Sequence, residues 1–133
     1  MFMLSMGAGM DLGFPDVCIT PAALGAPLPY PDIQFTALSA PAAYNVLVDC
    51  MPSVNLLTKG LLSFGDELGT AGGVVSHLFD GQTEDFVGCF TILVDGVPAQ
   101  RLTSVTGQNS LGMLPNAPWM CICPSQVTVL TLG

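Results

Sequence analysis

An all-β fold with little or no helix is what this sequence predicts, and three observations carry the prediction. Glycine and proline are abundant, with 15 and 11 residues in a chain of 133, which suits short strands and many turns better than helices. The β-branched and aliphatic runs are short and bounded by turn residues. One hairpin motif also occurs twice, as FTILVDGVPAQRLTS from Phe90 to Ser104 and, more faintly, as NVLVDCMPSVNLLT from Asn45 to Thr58. Leu47/Leu93, Val48/Val94, Asp49/Asp95, Pro52/Pro98 and Leu56/Leu102 are identical between the copies. Each copy has an apolar run, then Asp-x-x-Pro, then a polar–apolar alternation. The Asp-Gly and Asp-Cys pairs read as hairpin turns. Gly96 suits a position with φ > 0, and Pro98 fits only where no ladder donor is needed. A hairpin repeated in so short a chain predicts a pseudosymmetric β object.

The length predicts a single domain over residues 1–133. Half the residues are hydrophobic, while 9% are charged, against ~25% in an ordinary soluble domain. Part of the surface must therefore be apolar, and exposed apolar area marks an interface. The net charge of −8, from ten acids and two bases, argues against nucleic acid, whose phosphates need clustered Lys and Arg. It argues equally against docking on an anionic membrane. No apolar run reaches the ~18 residues of a bilayer span, so no stable membrane anchor is expected. The start, MFMLSMGAGM, lacks the basic and long apolar regions of a secretory signal. Synthesis in the cytoplasm, with export by another route, follows as the expectation. Five cysteines exclude a complete disulfide framework within one chain and leave buried thiols or metal ligands.

Along the chain, residues 1–13 are rich in Met and Gly without a clear period. Gly13-Phe14-Pro15-Asp16 is a turn signal ahead of a short strand, Val17-Cys18-Ile19. Prolines at 21, 27, 29 and 31 exclude helix and predict a stiff, extended surface segment from Thr20 to Asp32. A strand is expected at Ile33–Leu38, a connector at Ser39–Tyr44, then the first hairpin. Residues 59–88 carry too many glycines for a stable helix and read as a loop with one helical turn near Ala71–His77. After the second hairpin come a polar turn at Gly107-Gln108-Asn109 and an apolar loop from Leu111 to Pro124, which holds Trp119 and the Cys121-x-Cys123 doublet. The alternation of Gln126–Leu132 predicts the last strand.

Pro98-Ala99-Gln100-Arg101, following ILVDGV, resembles the Pro-Ala-Ala-Arg signature of PAAR proteins, with Gln in place of the second Ala. The wider pattern resembles the PAAR-like branch of that family. It includes Gly13–Cys18 with Thr20-Pro21, Pro29-Tyr30-Pro31, Asn45-Val46-Leu47, Met51-Pro52, Gly65-Asp66, Gly69–Val75, Arg101–Ser104, Gln108-Asn109-Ser110 and Pro124–Val127. In order, these blocks cover nearly the whole chain. The resemblance implies a small β-cone on the end of the trimeric VgrG spike of a type VI secretion system, where it sharpens the spike for envelope piercing and carries or recruits a toxic effector. It also implies a zinc ion near the apex, held by histidines and a cysteine. An apolar base against the blunt end of a β-helix would account for the missing charges and cover open strand edges. The repeated hairpin would let one chain approximate a three-fold partner.

On this reading the interface and motif residues are Asp49, Pro52, Asp95, Gly96, Pro98, Ala99 and Arg101, with apolar positions such as Val94 and Val129 facing the spike. Arg101 is expected to pair with Asp95 or Asp49 and pin the turns. For zinc, the soft ligands chosen are Cys18, Cys121 and Cys123, since strand alternation puts both members of the doublet on one face; the fourth ligand stays open. Against the metal stand free buried thiols, and the chain has Arg101, Gln108 and Asn109 where some relatives carry histidine. Enzymatic signals are absent. His77 is the sole histidine and Ser76 its sequence neighbour, a poor geometry for a triad. No Gly-x-Ser-x-Gly elbow occurs, and Gly69–Gly73 lacks the Lys and Ser/Thr of a phosphate loop. A structural tip is therefore expected, not an enzyme. The alternatives are a small metal-dependent hydrolase or toxin, and the tip of a related phage tail or extracellular contractile injection particle.

Overall fold

The computed structural model describes residues 1–110, 112 and 114–132. Its architecture is all-β, a curled antiparallel sheet with two hairpins at one end. The strands are β1 (Met10–Thr20), β2 (Ala26–Phe35), β3 (Ser39–Ala40), β4 (Ala43–Val48), β5 (Met51–Ser53), β6 (Lys59–Gly60), β7 (Ser63–Phe64), β8 (Thr83–Asp85), β9 (Cys89–Val94), β10 (Val97–Ala99), β11 (Val105–Gln108) and β12 (Ala117–Cys123). Among the described residues the helical pieces are two 3-10 turns, Pro21–Ala23 and Thr36–Leu38. The main sheet runs β3-β6-β8-β11-β12-β1-β2-β7, and β4-β5 and β9-β10 form separate two-stranded hairpins. The turn at 36–38 carries the chain from β2, beside one edge, to β3 at the other. The sheet thereby curls into a half-barrel.

Local chemistry explains the long central pair. β1 alternates buried and accessible residues except where its register with β2 shifts between Gly13 and Asp16. Pro15, which has no N–H to give a ladder, sits in that irregularity. In β2, Pro27, Pro29 and Pro31 share one side of a period-two strand. That side is the edge β7 leaves uncovered, since β7 pairs only Ile33 and Gln34. The stiff segment expected from Thr20 to Asp32 is thus largely an edge strand held along β1.

Three expectations need correction. Gly107-Gln108 lies inside β11, between β8 and β12, and the chain turns only at Asn109, whose φ is 49°. The expected apolar loop at 111–124 contains β12, next to β1 in the middle of the sheet. Its residues Ala117, Trp119 and Cys121 alternate inward, a period masked in the sequence by Pro118. Gln126–Leu132 does not form a strand. The Gln126 side chain takes the local backbone instead, its Oε1 accepting from Thr128 N and Val129 N at 2.7 Å, a competition that polar side chains win over ladder formation at chain ends. The one helical turn expected near Ala71–His77 is present, closed by His77 N donating to Gly73 O at 3.0 Å.

The apolar core is small and split. One cluster joins Met3, Ala43, Val48, Val94 and Ala99; the other joins Leu4, Val54 and Cys121. The largest fully buried side chains are polar: Gln34, Gln100, Gln108, Asn109, Asp16, Asp32 and Asp66. The hydrophobic excess of the composition therefore lies outside, on residues such as Leu24, Phe90 and Leu132.

Below the Leu4 and Val54 contact a polar cavity of about 20 Å³ is lined by Asp11, Gln34, Thr36 and Asp85 among others. Asp11 Oδ1 is buried there with no hydrogen-bond partner among the described residues. Burial pushes the Asp11 carboxyl up to about 6. Burial likewise raises Asp85, with the charge of Asp11 adding to it. A carboxyl whose folded pKa is raised stabilises the fold fully below its unfolded value, near 4, and this contribution is lost as pH rises through about 6. Asp11→Asn is therefore expected to flatten the stability–pH profile between about pH 4 and 6 and to gain up to ~3 kcal/mol on wild type at neutral pH. Denaturant titrations of both chains across this range check the difference.

Candidate functional site

At the hairpin end three segments close a ring. They are Phe2–Met6, Pro52–Leu56 and Pro98–Leu102. Leu4 N donates to Gln100 O at 3.0 Å, Gln100 N to Val54 O at 3.3 Å, and Val54 N to Leu4 O at 3.3 Å. An outer set repeats the cycle: Met6 N to Pro52 O at 2.8 Å, Leu56 N to Pro98 O at 3.0 Å, and Leu102 N to Phe2 O at 2.8 Å. The bridges Ser5↔Ser53, Asn55↔Ala99 and Met3↔Arg101 follow the same rotation. A hydroxyl also accepts from the equivalent amide of each segment: Ser125 from Ser5, Thr58 from Asn55, and Ser104 from Arg101. Two segments come from the repeated hairpins. The third comes from the N-terminal stretch that showed no period in sequence. One chain thus has pseudo-three-fold symmetry here.

The hairpins project from this ring. Asp49 and Cys50 (φ 54° and 64°) and Asp95 and Gly96 (φ 55° and 77°) make two-residue turns with both central residues left-handed, the geometry that matches strand twist. Leu47 pairs with Pro52 and Leu93 with Pro98, and Leu130 bridges Phe2 in the third sector. All three leucines are exposed, at 62%, 59% and 55%. Tyr44 and Phe90 form another exposed equivalent pair.

The ring shows what the Pro-Ala-Gln-Arg sequence does. Pro98 supplies a carbonyl. Ala99, with no exposed surface, packs in the cluster with Met3, Val48 and Val94. Gln100 holds the central position, and the Arg101 backbone bridges Met3. Pro52 is the counterpart of Pro98. Val94 is 4% exposed and so is a core residue, not the spike-facing position expected; Val129, at 38%, is accessible. Asp49 and Asp95 are exposed at their turns, and among the described residues neither forms an ion pair with Arg101.

A second constellation lies along β1, away from the ring. Asp16, Cys18 and Asp66 are all buried, and their ligand atoms lie within 4.8 Å of one another, an arrangement able to hold a metal ion. β1 carries Asp16 and Cys18, β2 carries Asp32, and the turn after β7 carries Asp66. Asn109 Nδ2 donates to Asp16 Oδ2 at 2.6 Å and Asp66 Oδ2 at 2.7 Å, with Asp32 Oδ2 at 3.4 Å. Asn109 Oδ1 accepts from Gly81 N at 2.5 Å, which fixes the amide's orientation. The Asn116 amide bonds Asp16 Oδ1 and Val17 O. Burial, then the charge of Asp66, pushes Asp32 up to about 9, and burial raises Asp16. Burial and the charges of Asp16 and Asp66 push the Cys18 thiol up.

The three cysteines chosen from sequence do not meet. Cys121 lies opposite Asp11, at the other end of β1 from Cys18, a separation on the order of 20 Å at about 3.3 Å per residue. Cys121 is buried with Leu4 and Val54, while Cys123 is exposed. A register shift sets Cys121 opposite Asp11 but Cys123 opposite the next residue, Met10, so the doublet does not share a face of β12 as alternation predicted. Of the chosen set only Cys18 belongs to the buried group. Asp16 and Asp32 stand apart from other charges in sequence, and Asp66-Glu67 reads as an adjacent acid pair on a solvated loop, so none of them pointed to a buried group. The available signal was that each directly follows a turn-forming residue: Pro15, Pro31 and Gly65.

Among the described residues no helix is long and apolar enough to cross a membrane. Neither a curated protein nor a solved structure matches the chain. The family described as Toxin PAAR-like domain matches residues 9–115, a span that holds both hairpins, two of the three ring segments and the whole Asp-Cys-Asp group. With most of its length matched and its signature residues built into the ring, the chain belongs to the Toxin PAAR-like domain family.

Proposed function

We propose that the chain is the tip of a type VI secretion spike, seated by its hairpin end on the open end of a VgrG trimer. Membership in the family supports a spike- or toxin-associated role. The observation that carries the finer reading is the closed cycle linking Leu4, Val54 and Gln100. A trimer ends in three equivalent sets of strand edges, and a single chain can meet all three alike only if it presents one element three times. Leu47, Leu93 and Leu130 occupy equivalent positions on that surface, exposed and apolar, as the core of an interface requires. Capping the spike would also cover strand edges open to wrong pairing.

The rest of the surface is then available to a toxic effector or adaptor. The chain itself acts mechanically and by binding, without catalysis, and leaves the cell with the spike. The histidines that help hold zinc in the resembling proteins have no counterpart in the buried Asp16–Cys18–Asp66 group. His77 is exposed and is not part of the Asp16–Cys18–Asp66 group.

Co-expression with the cognate VgrG tests the reading. Native mass spectrometry is expected to show one copy of this chain per spike trimer. A complex with three copies per trimer, or no complex, would refute it.

A further inference from the structure

The donor set around Asp16 disagrees with zinc, and the disagreement has a direction. Structural zinc is held by thiolate and imidazole in a tetrahedral shell. Here the buried donors are the carboxylates of Asp16, Asp32 and Asp66, with one thiol, Cys18. Oxygen-rich sets select hard cations. We propose that Asp16 and Asp66, with Asp32 beside them as a third carboxylate and Cys18 within ligand distance, hold a hard, oxygen-preferring divalent cation of the calcium or manganese class.

Two observations beyond the acidic cluster itself point to a missing ligand. Asp32 has no exposed surface, and its Oδ1 accepts no hydrogen bond among the described residues. Its Oδ2 lies 3.4 Å from the same Asn109 amide that bonds Asp16 and Asp66, which places the carboxyl beside the group. Asp80 adds a second buried oxygen without a partner, Oδ1, while its N–H donates to Asp66 at 3.2 Å.

The second observation concerns charge. Lys59 is engaged with Glu84 at 2.5 Å, and the ring holds the backbone of Arg101 at the hairpin end. The donors that do reach the acids are neutral amides, Asn109 and Asn116. Amide hydrogens satisfy lone pairs but cannot neutralise several buried carboxylates. Ligands of one ion at 2.3–2.6 Å from it lie at most ~5 Å apart, which the 4.8 Å spread of Asp16, Cys18 and Asp66 meets. A cation here would tie β1, β2 and the turn after β7 together, far from the apolar clusters, where burial stabilises least.

The test uses the purified chain stripped with EDTA, then melted with calcium, manganese, magnesium or zinc chloride, together with metal analysis after dialysis. Calcium or manganese is expected to raise the melting temperature by about 5–10 °C and to remain bound at one ion per chain. Asp32→Asn keeps the side-chain shape and is expected to fold without cation while losing the shift. Asn109→Asp, which adds a carboxylate facing the group, is expected to make folding depend on the cation. If no cation raises the melting temperature, if zinc alone does, or if Asp32→Asn keeps the full shift, the proposal is wrong and the carboxyls are held neutral by shared protons instead. None of these readouts involves VgrG, so they stand or fall apart from the spike-tip reading.

Discussion

Gly13→Val is expected to lower the melting temperature by roughly 10 °C or more and to expose the sole tryptophan. Gly13 on β1 is paired across the sheet with Trp119 on β12, and the indole lies flush on the glycine backbone. A Cβ placed at Gly13 would sit 1.8 Å from Trp119 Cε2 and 1.9 Å from Nε1, far inside van der Waals contact. Trp119 is 3% exposed, so the ring cannot swing out without opening the β1–β12 pair at the centre of the sheet. Overpacking of this kind costs about 3 kcal/mol, sometimes more, and for a domain of this size that is roughly 10 °C. The strain acts through one ring, so removing the ring should relieve it. Gly13→Ala combined with Trp119→Leu is expected to melt above Gly13→Ala alone once each is compared with its own parent. Thermal circular dichroism reads both effects, and tryptophan emission in Gly13→Val should shift to the red. An unchanged melting temperature would mean that the indole does not lie where the structure puts it.

The glycine–tryptophan pair also marks where sequence reading stops. The two hairpin turns were legible because everything that makes them is local: Asp-Cys and Asp-Gly, with apolar runs on either side. Their symmetry was only half legible. Two of the three ring segments are visible as repeats, but the third is Phe2–Met6, whose side chains share little with Pro52–Leu56 or Pro98–Leu102. The cycle is made by backbone amides and carbonyls, which every sequence carries alike. β12 was hidden by Pro118, and the tail after Gln126 read as a strand because its alternation is real but its amides are taken by a side chain. The buried carboxylates come from β1, β2 and the turn after β7, distant in sequence and joined only when the sheet curls. Cys121 and Cys123 drew the choice of ligands because spacing within one strand can be read directly. The distance from one end of β1 to the other cannot.

Replacing Leu47, Leu93 and Leu130 together by glutamate is expected to abolish association with the VgrG trimer while leaving the fold intact. Each leucine is more than half exposed and lies outside the apolar clusters of the ring, so the change should cost the isolated chain no more than ordinary surface substitutions, ~0.5 kcal/mol each. At the interface the effect differs in kind. Three carboxylates would have to lose their water together, at equivalent positions around one axis, on a chain already carrying a net charge of −8. Burying even one unpaired charge costs several kcal/mol, more than a standard interface can spare when 1.4 kcal/mol is tenfold in affinity. Single replacements supply the finer measurement. Because the three positions are equivalent by pseudosymmetry, Leu47→Glu, Leu93→Glu and Leu130→Glu should weaken binding by similar factors in a pull-down or by interferometry. Val94→Glu, by contrast, should prevent folding, because Val94 is 4% exposed in the cluster beneath the ring. If the triple variant binds the spike as wild type does, the hairpin end is not the docking surface. If only one leucine matters, the contact is lopsided and the three-fold match is not its cause.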